Sequence, residues 1–272
     1  MPDALEKNIT GPAPDGASAS EPAWSERELT DPHGNVEKAG KVRRMFAAIA
    51  GSYDLNNRVH SFWRDQAWRR RAVRAAGVGP GETVVDVACG TGDLSEAFTL
   101  SPAGRVIGID FTPEMLRVAG EKRRRLPEAR RARLEYREGD AQALDLPDGS
   151  ADVVSIAFGI RNVASPEGAV REFARILRPG GRLVVLEFDR PSFPPARWFN
   201  DFYCGWLMPR TATFLSGDRS GAYRYLPKSV GSFMPRAALC ALMERSGFGQ
   251  VTAQALTLGV CVCYRGVRRA DA

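Results

Sequence analysis

The chain has 272 residues, enough for one sizeable α/β domain with additions and too few for two full domains. Its 38 Lys and Arg against 32 Asp and Glu give a net charge of +6, and because residues 1–40 hold eight acids and three bases, residues 41–272 carry 35 bases and 24 acids. A basic folded part suits nucleic acid, an anionic membrane surface or an acidic ligand alike, and equally the solvated face of a basic protein, so charge ranks partners without naming one.

Residues 1–38, centred on Gly11-Pro12-Ala13-Pro14-Asp15-Gly16, are too poor in large apolar residues to bury a core and are expected to be a disordered tail. From Lys41 onward Val42, Met45, Phe46 and Ile49 recur at helical spacing, until a break at Gly51-Ser52 leads into Tyr53-Asp54. A second helix is expected from about Ser61 to Ala76, with Trp68, Ala72 and Ala75 on one face and Arg64, Arg69, Arg70, Arg71 and Arg74 crowding the rest. Gly77 and Pro80-Gly81 stop it.

Strand and helix then alternate. The β-branched run Val84-Val85-Asp86-Val87 breaks into Ala88-Cys89-Gly90-Thr91-Gly92, and Asp93 opens a helix with an acidic first turn. A strand at 105–110, a helix from Pro113 to about Arg125, a short strand 134–137, a strand 152–157, a helix 166–177 and a strand 182–188 follow. Short βαβ units of this period need crossover helices, so the fold class is α/β, a doubly wound and mostly parallel seven-stranded sheet. Residues 191–234 read as irregular, aromatic and Pro-rich; a helix 235–246 then leads to two strands, 250–256 and 260–264, joined at hairpin length by Thr257-Leu258-Gly259.

Cys89, Cys204, Cys240, Cys261 and Cys263 are odd in number, scattered, and accompanied by only two histidines, so neither a metal nor a disulfide frame is expected. Cys261 and Cys263 alternate along a strand and should fill the core. The N-terminus shows no apolar signal core, and no run approaches the roughly 18 apolar residues that span a bilayer. The expected location is the cytoplasm, with any membrane contact peripheral.

Ligands of such sheets bind over the carboxyl ends of the strands. Gly90, Thr91 and Gly92 bring bare backbone to that edge; Asp110 ends the second strand, placed for both hydroxyls of a ribose; Asp140 ends the third, placed for an adenine amino group, with the Ala141 amide beside it. A lone Asp is commonly a cap or a solvated loop residue, but acids at successive strand ends beside a glycine loop favour an adenosine cofactor. Ser95 stands where a dinucleotide fingerprint wants Gly or Ala, which argues against the NAD form.

These residues resemble the S-adenosylmethionine site of class I methyltransferases. Tyr53-Asp54 with Asn57, Ser61 and Trp68, then Phe158-Gly159-Ile160-Arg161-Asn162-Val163, Leu177 to Glu187, and Tyr223 to Ser229 further resemble the ubiquinone/menaquinone biosynthesis C-methyltransferases, over about Val42 to Gly266. Asn56, Asp65, Asp189 and Ala157 depart from that pattern: many members carry Met, His and Ser at the first three, and a cofactor-touching Ser at the last. The resemblance implies a cofactor set of Asp86, Gly90, Thr91, Gly92, Asp110, Asp140, Ala141 and Ala157, the last through backbone alone. It implies a single methyltransferase domain over residues 39–272, with a helical lid at 39–78 and a substrate-side insertion at 191–234.

The implied reaction is methyl transfer from S-adenosylmethionine to a ring carbon of a reduced, prenylated quinone. Demethylmenaquinol leads, with a 2-methoxy-6-polyprenyl-1,4-benzoquinol as the alternative. Such a ring becomes nucleophilic as a hydroxyl gives up its proton, and Arg161 with Asn162 at the end of the fourth strand are the candidates to stabilise that charge; the competing reading pairs Arg161 with an acid and has Asn162 close a turn. An apolar quinone tail asks for a lipid-facing surface, for which the aromatic stretch 197–208 and the Arg69 to Arg74 cluster are the candidates, although such stripes are more often core and such runs more often solvated. Partners are then the prenylated quinol, the membrane surface and other quinone-biosynthesis enzymes, with no nucleic acid and no metal. Deletion of residues 1–40 is expected to leave activity intact. The rivals are a nucleic-acid methyltransferase, disfavoured by the lack of a separate binding module, a non-catalytic cofactor-binding scaffold, and a methyltransferase for a sterol or tocopherol ring.

Overall fold

A computed structural model describes residues 23–25, 27–216 and 221–270 of the chain. Three N-terminal helices, α1 (Lys38–Ile49), α2 (Tyr53–His60) and α3 (Arg64–Ala76), precede the sheet. Its strands are β1 (Thr83–Val87), β2 (Arg105–Asp110), β3 (Leu134–Glu138), β4 (Ala151–Ala157), β5 (Leu177–Phe188), β6 (Phe248–Leu256) and β7 (Cys261–Arg268). Between them run α4 (Asp93–Phe98), α5 (Pro113–Arg124), the short α6 (Glu128–Arg131) and α7 (Pro166–Ile176). The order is β3-β2-β1-β4-β5-β7-β6, parallel through β5, with β7 antiparallel to both β5 and β6. This is the expected α/β sheet with its antiparallel C-terminal pair.

Alternation along each strand divides the core between the two faces of the sheet. Val85, Val87, Ile107, Ile109, Val154 and Ile156 pack beneath α7 and α11 (Arg236–Arg245), while Val84, Val106 and Val153 pack beneath α3 and α4. Helix α7 shows how such a layer is specified: Ala169, Val170, Phe173 and Ile176 form its buried stripe, Pro166 occupies its first turn, and Ser165 Oγ caps it by accepting from Gly168 N at 3.0 Å. Cys261 and Cys263 are buried in this core, and all five cysteines are free thiols.

Three expectations need correction. Residues 1–22 lie outside the described residues, but the rest of the expected tail packs: Trp24, Leu29 and Lys38 are buried, and Lys41 bonds to Glu28 at 2.8 Å. A few large side chains suffice where a preformed groove receives them, which mean composition does not register. The helix expected from about Ser61 begins only at Arg64, because Phe62 and Trp63 adopt φ of +52° and +61° and break the backbone, and the stretch before that corner forms α2, a helix the periodicity had not marked. The stretch 191–234 is not irregular: it folds into α8 (Pro194–Phe202), a π turn (Tyr203–Leu207), α9 (Met208–Ser216) and α10 (Ala222–Ser232). Of its prolines, Pro194 and Pro195 sit at the first turn of α8, where a missing N–H costs nothing, Pro209 is the second residue of α9, and Pro227 lies within α10. No helix among the described residues is long and apolar enough to cross a membrane.

Candidate active site

Two cavities meet over the carboxyl ends of the strands. The first, about 740 Å³ with its open mouth included, is lined by Ala88 and Gly90 after β1, Asp110 and Phe111 after β2, Gly139 to Gln142 after β3, and Ala157 to Gly159 after β4. Five of the eight expected cofactor positions therefore converge: Gly90, Asp110, Asp140, Ala141 and Ala157. Asp110 is buried and accepts from Gly90 N at 2.8 Å and Thr112 N at 2.9 Å; burial raises its pKa, and these backbone bonds oppose the shift. Each carboxylate oxygen thus keeps lone-pair capacity for a further donor. Asp140 is exposed at the cavity edge, steadied by Gln142 N at 2.9 Å.

A Cβ built on Gly90, whose φ is +56°, would meet nothing within 4 Å: it would project into free space, the signature of a cradle left open for a ligand. That bare turn, a buried acid with spare acceptor capacity and an acid followed by the Ala141 backbone suit an adenosine-type cofactor.

The other three expected cofactor residues stand behind this wall. Asp86 is buried on the α3/α4 face of the sheet, where Ser95 Oγ donates to it at 2.6 Å and Ser155 Oγ at 2.7 Å; burial pushes its pKa to about 6. Thr91 is also buried, its hydroxyl donating to Asp54 at 2.5 Å. Gly92 is required by packing, since a Cβ there would lie 2.1 Å from Tyr136 Oη. Spacing identified the loop, but side-chain direction at each loop position depends on backbone angles that spacing does not carry.

The second cavity, about 610 Å³, is lined by α1, α2, α3 and α10 around Trp68, Phe158 and Phe188. It shares Phe46, Tyr53 and Phe158 with the first, so these three residues form the partition between them. Phe158 and Phe188 lie 4.5 Å apart, with the Trp68 ring 6.1 Å from each. Two cations face this aromatic wall: Arg69, 5.5 Å from the Phe158 ring and bonded to Asp65 at 3.1 Å, and Arg161, 5.4 Å from the Phe188 ring. Burial raises the pKa of the Tyr53 phenol in the partition. Phe46 and Tyr53 went unassigned in the sequence because nothing local distinguishes a partition from an ordinary apolar face. Ala88 and Phe158, with φ of +51° and +58° at the ends of β1 and β4, carry backbone strain at the cavity edge that only coordinates reveal.

Arg161 and Asn162 occupy the turn 160–162 after β4, both buried. Arg161 Nη1 donates to Glu187 at 2.6 Å and to Phe158 O at 2.7 Å, so the guanidinium is the paired cation of the competing reading, although it still lines the second cavity. Burial raises the Glu187 pKa while Arg161 opposes it. The Asn162 amide donates to Phe158 O at 3.2 Å and accepts from Tyr225 Oη at 2.9 Å, which occupies both ends of the side chain in holding the turn.

The N-terminal segment braces the same turn. Trp24 stacks on Tyr225 at 4.9 Å, Lys38 Nζ donates to Val163 O at 2.7 Å, and a His33 ring nitrogen lies 2.9 Å from Ser229 O. Burial, reinforced by Arg161, lowers the Lys38 pKa to about 8. On the opposite flank, α2 is pinned to the glycine loop by Asp54, which bonds to Thr91 and to Lys122 at 2.8 Å, while Asp93 engages Lys122 and Arg58. Among the described residues no group of three His, Cys, Asp or Glu is placed to hold a metal.

Residues 35–268 match the model of the ubiE/COQ5 methyltransferase family. The ubiquinone/menaquinone biosynthesis C-methyltransferase UbiE of Photorhabdus laumondii is 38% identical over 234 residues, covering 85% of this chain and 92% of that protein. The protein of the same name from Ectopseudomonas mendocina is 38% identical over 234 residues, covering 85% and 90%. Among solved structures, a SAM-dependent methyltransferase from Thermotoga maritima aligns with a TM-score of 0.57 at 20% identity, over 84% of this chain and 100% of that one, a likeness of fold alone.

Proposed function

Because the chain belongs to the ubiE/COQ5 methyltransferase family, S-adenosylmethionine-dependent C-methyltransferases of quinone biosynthesis, we propose that its acceptor is demethylmenaquinol, methylated on the ring carbon beside a hydroxyl. The observation that supports this reading is the shared wall: a cofactor-type cavity and an aromatic, arginine-lined cavity have Phe46, Tyr53 and Phe158 in common. A donor on one side and a flat ring on the other would be held for in-line transfer, so positioning carries much of the catalysis.

Gly90 would receive the amino-acid end of the cofactor against bare backbone, Asp110 its ribose hydroxyls, and Asp140 with the Ala141 amide its adenine. When bound, S-adenosylmethionine supplies an electrophilic methyl on its sulfonium. Asp86, Thr91 and Gly92 act from behind, holding the loop against α4, α2 and Tyr136. The lid of residues 39–78 closes one side of both cavities, and the insertion of 191–234 contributes Ala222, Tyr223, Tyr225 and Leu226 to the second.

The acceptor must be made nucleophilic, and a phenol of this kind titrates near about pKa 10 in water. Arg69 and Arg161 line the ring cavity with fixed positive charge, each aimed by a carboxylate, Asp65 or Glu187, that keeps the guanidinium buried and oriented. A phenolate on the ring is favoured there. Asn162 serves by fixing the turn that carries Arg161. The three-ring wall of Trp68, Phe158 and Phe188 supports a fused bicyclic acceptor over a single substituted ring. The apolar tail of such an acceptor implies peripheral contact with the membrane that holds it, alongside other enzymes of quinone biosynthesis.

The test offers the purified protein labelled S-adenosylmethionine with demethylmenaquinol and, separately, a 2-methoxy-6-polyprenyl-1,4-benzoquinol, and weighs the products. Label in the naphthoquinol at the higher kcat/KM supports the reading. Preference for the benzoquinol replaces the acceptor, and no label in either removes the quinol assignment.

A further inference from the structure

The aromatic stretch that sequence statistics would bury stands in solvent. Trp198, Phe202 and Trp206 follow at intervals of four along the continuous helical run of α8 and the π turn, and their rings stack at 6.3 and 5.5 Å. Trp198 is 73% exposed, and Phe202 and Trp206 are exposed as well. A second element adjoins them: Phe62 and Trp63, at the corner between α2 and α3, are 67% and 63% exposed. Phe62 lies 5.7 Å from Tyr203, whose hydroxyl donates to His60 O at 3.0 Å, so the corner and the helix form one surface. Two rings left mostly exposed offset little of the conformational cost of placing successive large aromatics in the left-handed backbone region. Strain of that kind signals a partner for the rings.

The surroundings of the patch distinguish among partners. Arg64, Arg190, Arg197 and Arg210 are exposed around it, and Asp201 pairs with Arg190 at 2.9 Å and lies 4.0 Å from Arg197. A second copy of the chain meeting this face about a two-fold axis would oppose the arginines to one another. An anionic bilayer would accept them, with Trp and Phe at the headgroup level. The reverse side of the same helical run points inward: Tyr203, Cys204 and Met208 cluster with Tyr223 and Leu226, two residues of the ring cavity. Ser61, also in that cavity, directly precedes Phe62. The lipid-facing surface and the ring cavity are thus opposite sides of the same elements.

We propose that Phe62-Trp63 and the Trp198-Phe202-Trp206 ladder, ringed by Arg64, Arg190, Arg197 and Arg210, form a docking surface for anionic lipid bilayers. The surface extends the quinol reading by giving an apolar tail a path to the ring cavity, but the binding it predicts does not require that reading. Charge attracts the protein to the bilayer, and the rings enter its interface.

The full chain is sedimented with vesicles of phosphatidylglycerol and phosphatidylcholine at three to seven, and with pure phosphatidylcholine. Two variants accompany it: Trp198→Ser/Phe202→Ser/Trp206→Ser, and Phe62→Gly/Trp63→Gly, in which glycine suits the left-handed backbone. The wild type should bind the anionic vesicles, less at high salt, and each variant should bind at least about tenfold more weakly while melting at the wild-type temperature. Methylation of a quinol with one prenyl unit in solution should be unchanged in both variants, whereas turnover of a long-chain quinol in vesicles should fall. Equal vesicle binding by wild type and variants overturns the proposal. So does a wild-type dimer that ignores vesicles and dissociates in the variants, which would assign the face to a second copy. Vesicle binding without methylation of any quinol would retire the acceptor and leave the docking surface standing.

Discussion

The hydroxyl of Tyr225 donates a 2.9 Å hydrogen bond to the amide oxygen of Asn162, tying α10 to the turn that follows β4. Trp24 stacks on the outer face of the same phenol. An N-terminal segment, a late insertion and the central sheet thus converge on the residue beside Arg161.

Tyr225→Phe removes that donor and strands a buried amide oxygen. It should destabilise the protein by about 1 to 3 kcal/mol and raise the KM for the quinol more than it lowers kcat, since the turn loses its brace. Urea titration and steady-state kinetics measure the two effects. An unchanged KM would confine the bond to a role in stability.

Removal of residues 1–40 takes away Trp24, Leu29 and Lys38, all of them buried, so the expectation of an intact enzyme reverses. The shortened chain should lose most of its activity, and Trp24→Ala alone should cost about 3 kcal/mol. Thermal melts and quinol turnover check both. Full activity in the shortened chain would mean that the sheet and lid hold the turn without the segment.

Asp110→Asn preserves shape but replaces an acceptor with a donor beside Gly90 N and Thr112 N. Affinity for S-adenosylmethionine should fall at least about tenfold by calorimetry, equivalent to about 1.4 kcal/mol. Undiminished affinity would move the ribose elsewhere.

Arg161→Ala leaves Glu187 buried without its cation, at a cost of about 3 to 5 kcal/mol. Adding Glu187→Gln removes the stranded charge. The double variant should regain much of the stability and none of the activity, because the cation at the ring is still missing. Recovery of activity together with stability would show Arg161 to be a scaffold residue only.

The Asp86 carboxyl has its pKa raised by burial to about 6 from 3.8, against the opposing hydroxyls of Ser95 and Ser155. For an acid shifted upward, the folded state binds the proton more tightly, so its stabilising contribution is complete below about pH 4 and is lost as pH rises through 6. Asp86→Asn cannot ionise. The stability of the wild type relative to this variant should therefore fall between about pH 4 and pH 7, by on the order of 3 kcal/mol in urea titrations. A difference that is flat across this range would assign the ionisation to another group.

Much of the fold was legible because its signals are local. β-Branched runs at period two, glycine turns and proline at helix starts each depend on a few neighbouring residues, and they recovered the alternating strands and helices of the sheet. The candidate site followed from the same logic, since strand ends share one side of a parallel sheet; Gly90, Asp110, Asp140 and Ala141, read from the sequence this way, line the first cavity. The insertion of 194–232 was misread because proline and aromatic residues are ambiguous without a surface to pack against. The segment 24–38 was misread because its few anchors are averaged away among small and polar neighbours.

By itself the sequence determined the alternation of strands and helices, the mostly parallel class of the sheet and, through its motifs, the kind of methyl donor. Tertiary structure alone decided which way each side chain faces. It turned Asp86 and Thr91 behind the wall, paired Arg161 with Glu187, made Phe46, Tyr53 and Phe158 a partition, and left the aromatic ladder in solvent. The physical reason is range: backbone preferences and periodicity act over a few residues, whereas the partners of a buried charge and the exposure of an apolar face are set by segments as far apart as Trp24 and Tyr225.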